Sequence, residues 1–233
     1  VGQIMMGLTV AVVVGVPLSA WMGEALGWRA AFALVGAIGL LTVWLVHRHV
    51  PHEPAPAAAS PWRELQALRH PQVWLTLGVG AVGFGGLFSV FSYIKPTMLE
   101  VAHLPPQGLP FVLALFGLGM VAGNWIGPKF VDRHLMATIA GILLWGAAVL
   151  ALFALTVPVL PLAVAGTFLV GTLGALGPAL QVRLMDVAGE AQTLAAALNH
   201  SAFNAANALG AWLGGMAVLW GGGWASTGWV GVA

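Results

Sequence analysis

Apolar positions in this chain fall into long uninterrupted runs, not the two-residue alternation of half-buried strands or the one-sided stripes of soluble helices. The runs cover 4–22, 30–46, 73–93, 109–127, 135–157, 162–180 and 193–220. Each is close to the length, about 20 residues, that carries a helix through a bilayer core about 30 Å thick. A spanning strand would be about half as long and would alternate in polarity. The pattern predicts an all-α, polytopic transmembrane helix bundle with seven complete spans, and 226–233 reads as the start of an eighth.

Composition sharpens this picture. Of 233 residues, 60% are hydrophobic and 6% are charged, against about 25% charged in a soluble domain. The 32 glycines and 11 tryptophans suit membrane helices and their interfaces. Eight basic and seven acidic residues, net +1, form no phosphate-neutralising surface, so nucleic acid is excluded as a partner. The absence of cysteine excludes disulfides, thiolate zinc sites and cysteine nucleophiles. The chain opens on Val1 with no basic segment ahead of the first run, so this start reads as part of a longer protein and not as a signal peptide.

Arg48, Arg63, Arg69, Lys129, Arg133 and Arg183 fall on one side of the alternating spans, and Arg29 and Lys95 on the other. Basic loops stay cytoplasmic, so the first run starts inside and the seventh ends outside. One connection stands apart. Residues 47–70 carry Pro51, Pro54, Pro56 and Pro61 and then an amphipathic stretch from Trp62 to Arg69, which reads either as a surface-lying helix or as a solvated loop. The expected organisation is 1–46 as the last two helices of one half, 47–70 as a cytoplasmic linker, and 71–233 as a second half whose last helix is incomplete.

Small residues recur at spacing four. Gly7, Ala11, Gly15, Ser19 and Gly23 share one face of the first span, Gly119, Gly123 and Gly127 one face of the fourth, and Ala202, Ala206, Gly210 and Gly214 one face of the seventh. Such faces let membrane helices approach closely, either as static packing or as sliding interfaces. Pro17, two residues after Gly15, removes a helical donor and predicts a kink. The first span closes on Gly27-Trp28-Arg29 and the seventh on Gly223-Trp224, a weak internal repeat.

Three passages resemble the major facilitator superfamily, specifically bacterial drug or sugar efflux permeases of the proton-antiporter type, with the arabinose efflux permease group nearest. Residues 7–23, with Gly15-Val-Pro17, resemble the antiporter motif of the fifth span, without its tandem glycines after the proline. Gly123-Asn-Trp-Ile-Gly127-Pro-Lys-Phe-Val-Asp132-Arg133 resembles the second-half copy of the short cytoplasmic loop motif, without its later basic residues. Residues 189–210, with Asn199, His200, Asn204, Asn207 and Gly210, resemble the eleventh span. The resemblance covers the chain as spans five to eleven plus the start of twelve, and implies a major facilitator fold with spans one to four upstream.

Candidate functional residues follow. Asp132 and Arg133 sit in a tight cytoplasmic turn, where they can cap a helix and anchor topology. The resemblance adds a gating role in the alternating-access cycle, shared with Gly127. His200, Asn204 and Asn207 lie on one helix face, with Asn199 on another. An ionisable residue within the membrane is a functional candidate, and histidine changes charge near neutral pH. His200 is equally readable as an interhelical hydrogen-bonding group. Tyr93 closes the third span as an interface anchor, with an outer-cavity role implied by the resemblance. Asn124 and Gln181 can contact a polar solute or tie helices together.

His47, His49 and His52 alternate, but proline-broken spacing argues against a metal site. Neither a Walker motif nor a nucleophile–base pair is present. The expected function is export of a small organic solute by alternating access, with the proton gradient as energy source and no cofactor. The expected partners are solute, protons and lipid. The expected location is the bacterial inner membrane, with the full-length protein a monomer. A uniporter or symporter for sugars, nucleobases or other metabolites, a polytopic membrane enzyme and a noncatalytic scaffold are the alternatives.

Overall fold

The computed structural model describes residues 11–51, 65–189 and 191–233. Among these, all regular structure is helical, and six helices are long and apolar enough to cross a membrane. The first predicted run is described only from Ala11, and Gly7 lies outside the described residues. Large apolar side chains remain exposed on these spans, among them Phe32, Leu40, Val82, Phe111 and Leu144. A lipid solvent requires this, since backbone polar groups are satisfied inside each helix and side chains face hydrocarbon.

The first described segment makes a wide π-turn over Ala11–Gly15 and then continues as α1 (Val16–Ala25). Pro17 lacks the amide that a regular turn would need, and the widened turn just before it accommodates that loss. Gly27 ends this segment and α2 (Trp28–His49) begins at once. After the residues outside the description, α3 (Pro71–Phe91), α4 (Leu109–Ile126) and α5 (Pro128–Thr156) follow. The sixth apolar run is α6 (Leu160–Thr172) and α7 (Leu176–Ala188), joined by a tight 3₁₀ turn at Leu173–Ala175. Then come α8 (Gln192–Ala217) and the short α9 (Ser226–Val232). Pro71, Pro110 and Pro161 occupy first or second helical positions, where a missing amide costs no helical bond.

Asp132 and Arg133 join the fourth and fifth apolar spans, which run Pro106–Val131 and His134–Thr156. Helical geometry runs on through these two residues, and the chain breaks it at His134 (φ −148°, ψ 70°) before resuming along the span. The side chains of Asp132 and Arg133 lie outside the description.

α8 packs along α3, α4 along α6, and α1 against α4. Glycine makes the first two contacts close. A Cβ on Gly210 would meet the Gly85 carbonyl oxygen, with the Ser89 amide nitrogen at 2.8 Å, and one on Gly119 or Gly123 would meet the carbonyl oxygen of Phe168 or Thr172. The first small-residue stripe behaves differently. Gly15 and Gly23 have nothing within 4 Å of a built Cβ, and α4 instead receives the Val13 backbone against Gly117, at 2.8 Å. Gly15 and Gly23 thus make no close helix contact among the described residues, although both are partly buried.

Gly27 (φ 84°, ψ 156°) and Gly223 (φ 67°, ψ 176°) share one backbone conformation, a region essentially reserved for glycine. A π-turn also recurs, at Ala11–Gly15 and Val218–Gly222. The two Gly-Trp corners thus share a glycine conformation, whereas the π-turns lie at different distances from them.

Candidate functional site

A cavity of about 320 Å³ lies between α1, α3, α4, α7 and α8. Its apolar wall consists of Phe84, Phe88 and Phe91 on α3, Phe116 and Met120 on α4, and Phe203 on α8, with Val16 of α1 facing them. The rings are ordered by one another. Phe84 and Phe203 are 4.2 Å apart between centroids, and Phe91 stacks on Phe116 at 4.4 Å. Gly177 of α7 makes room for the first pair, since a Cβ there would sit 3.3 Å from the Phe203 ring and 3.5 Å from that of Phe84.

Asn124 of α4 and Asn199, His200 and Asn204 of α8 supply the polar lining. By their positions in the helices they gather toward the end that the charge pattern places inside. His200 is exposed to the cavity side and meets the Phe203 ring edge-on, with centroids 6.1 Å apart. Asn199 is buried and donates through Nδ2 to Oε1 of buried Gln181, at 2.7 Å. That bond ties α8 to α7 and holds the Asn199 amide in the wall. In lipid, such side-chain bonds between helices replace contacts that water would otherwise make.

Of the sequence candidates, Asn124, His200 and Asn204 come together here. Asn207 is exposed and stands off this cavity, one turn further along α8. Tyr93 also stands off it. Its hydroxyl donates to the Ala211 carbonyl oxygen at 2.7 Å, and its ring stacks on Trp224 at 6.0 Å. Gly214 lies beneath that ring, 3.0 Å from a built Cβ to Cε2. Tyr93 therefore clamps the outer ends of α3 and α8. Gly127 fits against Ala175, whose Cβ is 3.0 Å from a built Cβ, and Lys129 lies 3.3 Å from the Trp125 ring centroid. His47 and His49 close α2, and His52 lies outside the described residues.

The phenyl wall is what sequence reading missed. Phenylalanine in a lipid-facing run looks the same whether it meets lipid or a cavity, and the only available signal was its clustering on α3 at positions 84, 88 and 91. Three end contacts were missed as well. At the outer end Lys95 Nζ lies 3.4 Å from Glu24 Oε1, and the Trp224 indole donates to Glu100 Oε2 at 2.6 Å. At the inner end Arg183 donates to Gln72 Oε1 at 3.2 Å. Each joins residues that the alternation of basic loops assigns to one side.

Comparison with known proteins adds the following. The family model described as Major Facilitator Superfamily matches residues 1–141. The chain is 34% identical, over 94% of its length, to the inner membrane transport protein YdhP of Escherichia coli K12, and 30% identical over 90% to the putative transporter AraJ of the same strain. It is 34% identical, over 92% of its length, to a chloramphenicol resistance protein of Streptomyces lividans. These matches cover 56%, 54% and 58% of the relatives. The chain thus spans about half the length of the curated relatives it matches.

Proposed function

This chain belongs to the major facilitator superfamily, and from that premise we propose that the whole protein exports small organic solutes by alternating access, driven by proton entry. It is a multi-pass protein of the bacterial inner membrane. The observation that carries the proposal is the cavity between spans, where His200, Asn204 and Asn124 stand on a wall of phenyl rings. A cavity that is apolar with a few convergent polar groups is the usual form of a small-molecule site. Relatives named for sugar efflux and purine ribonucleoside efflux agree with outward movement of small solutes.

In this reading 1–46 and 71–233 belong to two halves joined by 47–70, and the halves rock about the cavity. Asn204 and Asn124 hydrogen-bond the solute, and His200 takes up and releases the coupling proton. The Gly127 to Arg133 segment biases which side is open, and a solute shifts that balance only through different affinities for the two states. The glycine contacts Gly119, Gly123, Gly210 and Gly214 keep the 71–233 half together as it moves, while the Gly15–Pro17 kink shapes the span opposite α4. The proton gradient is the energy source, the solute and lipid are the partners, and the working unit is a monomer.

The test is flux in proteoliposomes holding the full-length protein under an imposed pH gradient. Gradient-driven solute movement that loses its pH dependence in His200→Gln is the expected result. Flux indifferent to the gradient in the parent would point to a uniporter, and a His200→Gln variant with the parent's pH profile would remove His200 from coupling.

A further inference from the structure

We propose that a groove between α4, α5 and the α6–α7 turn binds one anionic phospholipid of the cytoplasmic leaflet, with an acyl chain along the groove and the phosphate at its His134 end. The groove holds about 690 Å³. Gly123, Gly127 and Ala175 form a buried floor, and exposed Phe130, Gly141 and Trp145 stand along its rim. Small residues create the depth, and nothing lies within 4 Å of a Cβ built on Gly141.

The length of the groove matches one leaflet. His134 opens the span His134–Thr156 and lines the mouth, and Trp145 stands midway along that span. The two are about 16 Å apart along the helix, against about 15 Å for half of a bilayer core. At the deep end Trp145 donates through Nε1 to Thr172 Oγ1 at 2.9 Å, which fixes the ring and satisfies its N–H without water. A hydrocarbon chain reaching from the inner interface to the midplane fits between these two residues. At about 3.6 residues per turn, Gly117 and Ile126 fall on opposite sides of α4. The first meets the Val13 backbone and the second lines the groove, so the described contact between the first span and α4 lies on the far side from the groove.

Charge at the mouth selects the headgroup. Lys129 and Arg133 bracket Asp132 in the sequence just before His134, with a net positive charge. Lys129 Nζ is held 3.3 Å from the Trp125 ring centroid, and tryptophan rings of this kind mark the membrane interface. The His134 ring is exposed, and its N–H is suited to donate to a phosphate oxygen. One basic residue at the cytoplasmic surface strengthens binding of an anionic lipid about fivefold.

The experiment is native mass spectrometry of the full-length protein in detergent, titrated with phosphatidylglycerol and with phosphatidylcholine of the same acyl chains. The first site to fill should prefer phosphatidylglycerol about fivefold, and Lys129→Gln should remove most of that preference. Gly141→Leu and Ala137→Leu each put a branched side chain into the groove and should weaken phosphatidylglycerol binding at least about fourfold, the worth of one buried methylene. Ala140→Leu, exposed on the same helix but off the groove, should bind as the parent does. Equal affinity for the two lipids overturns the proposal, as does a preference unchanged in Lys129→Gln or binding unchanged in both groove variants. A lower melting temperature in both groove variants with lipid binding unchanged would give the groove to another span of the protein and overturns the proposal too. The transport reading stands or falls separately, on solute flux.

Discussion

Lys95 Nζ lies 3.4 Å from Glu24 Oε1, linking the α1 segment to the turn after α3 across 71 residues of sequence. Both side chains are more than half exposed, at 58% and 57%. Exposed pairs of this kind are worth about 0–1 kcal/mol. That is a small part of folding stability, yet 1 kcal/mol shifts a two-state balance about fivefold.

Breaking this pair should raise the outward-accessible population by up to about fivefold. The protein has no cysteine, so a single Val16→Cys in the cavity wall reports access to an impermeant maleimide added outside. Glu24→Gln should speed that labelling, and the swap Glu24→Lys with Lys95→Glu should return it toward the parent rate. Salt at 1 M, with a screening length of about 3 Å, should narrow the difference. Equal labelling in all variants would assign the pair no part in access.

Asn199 and Gln181 offer a stability test. Asn199→Leu leaves the buried Gln181 amide without its donor and should cost about 1–3 kcal/mol, read as a lower melting temperature in detergent or a lower midpoint in denaturant. Asn199→Leu combined with Gln181→Met removes both partners and should lose less than the two single changes added together. Additive losses would mean that the amides do not interact.

Glycine positions should separate into two groups. Gly119→Ala and Gly210→Ala place a Cβ against the carbonyl oxygens of Phe168 and Gly85, and overpacking of this kind costs about 1–3 kcal/mol. Gly36→Ala and Gly39→Ala on α2 meet nothing within 4 Å and should melt at or slightly above the parent temperature, because alanine loses less freedom in a helix. Similar losses in both groups would place the effect outside the α3–α8 and α4–α6 contacts.

Tyr93→Phe should cost about 0.5–1.5 kcal/mol, through loss of the 2.7 Å bond to Ala211. Stacking on Trp224 survives that change, so Tyr93→Ala should cost more. Solute affinity should stay at the parent value in Tyr93→Phe, because this residue stands off the cavity. A selective rise in KM would bring Tyr93 back as a cavity residue.

The sequence by itself determined the spans, their alternation and the helix starts. Hydropathy is a local sum, the bilayer sets a fixed length, and prolines such as Pro71 and Pro161 mark entry points regardless of the rest of the chain. The repeated turns at Gly27 and Gly223 were legible for the same reason, since each rests on its own backbone. Only the tertiary structure decided which faces meet. In lipid both sides of a helix are apolar, so periodicity does not distinguish Phe84 and Phe203 against a cavity from the exposed Phe32 and Phe111. The small-residue stripes show the same limit, because Gly210 and Gly15 carry the same spacing signal and only Gly210 meets another helix among the described residues. Gln181 with Asn199 and Glu24 with Lys95 are partners across turns and spans, and it is the packing of whole helices that brings them within hydrogen-bond or ion-pair reach.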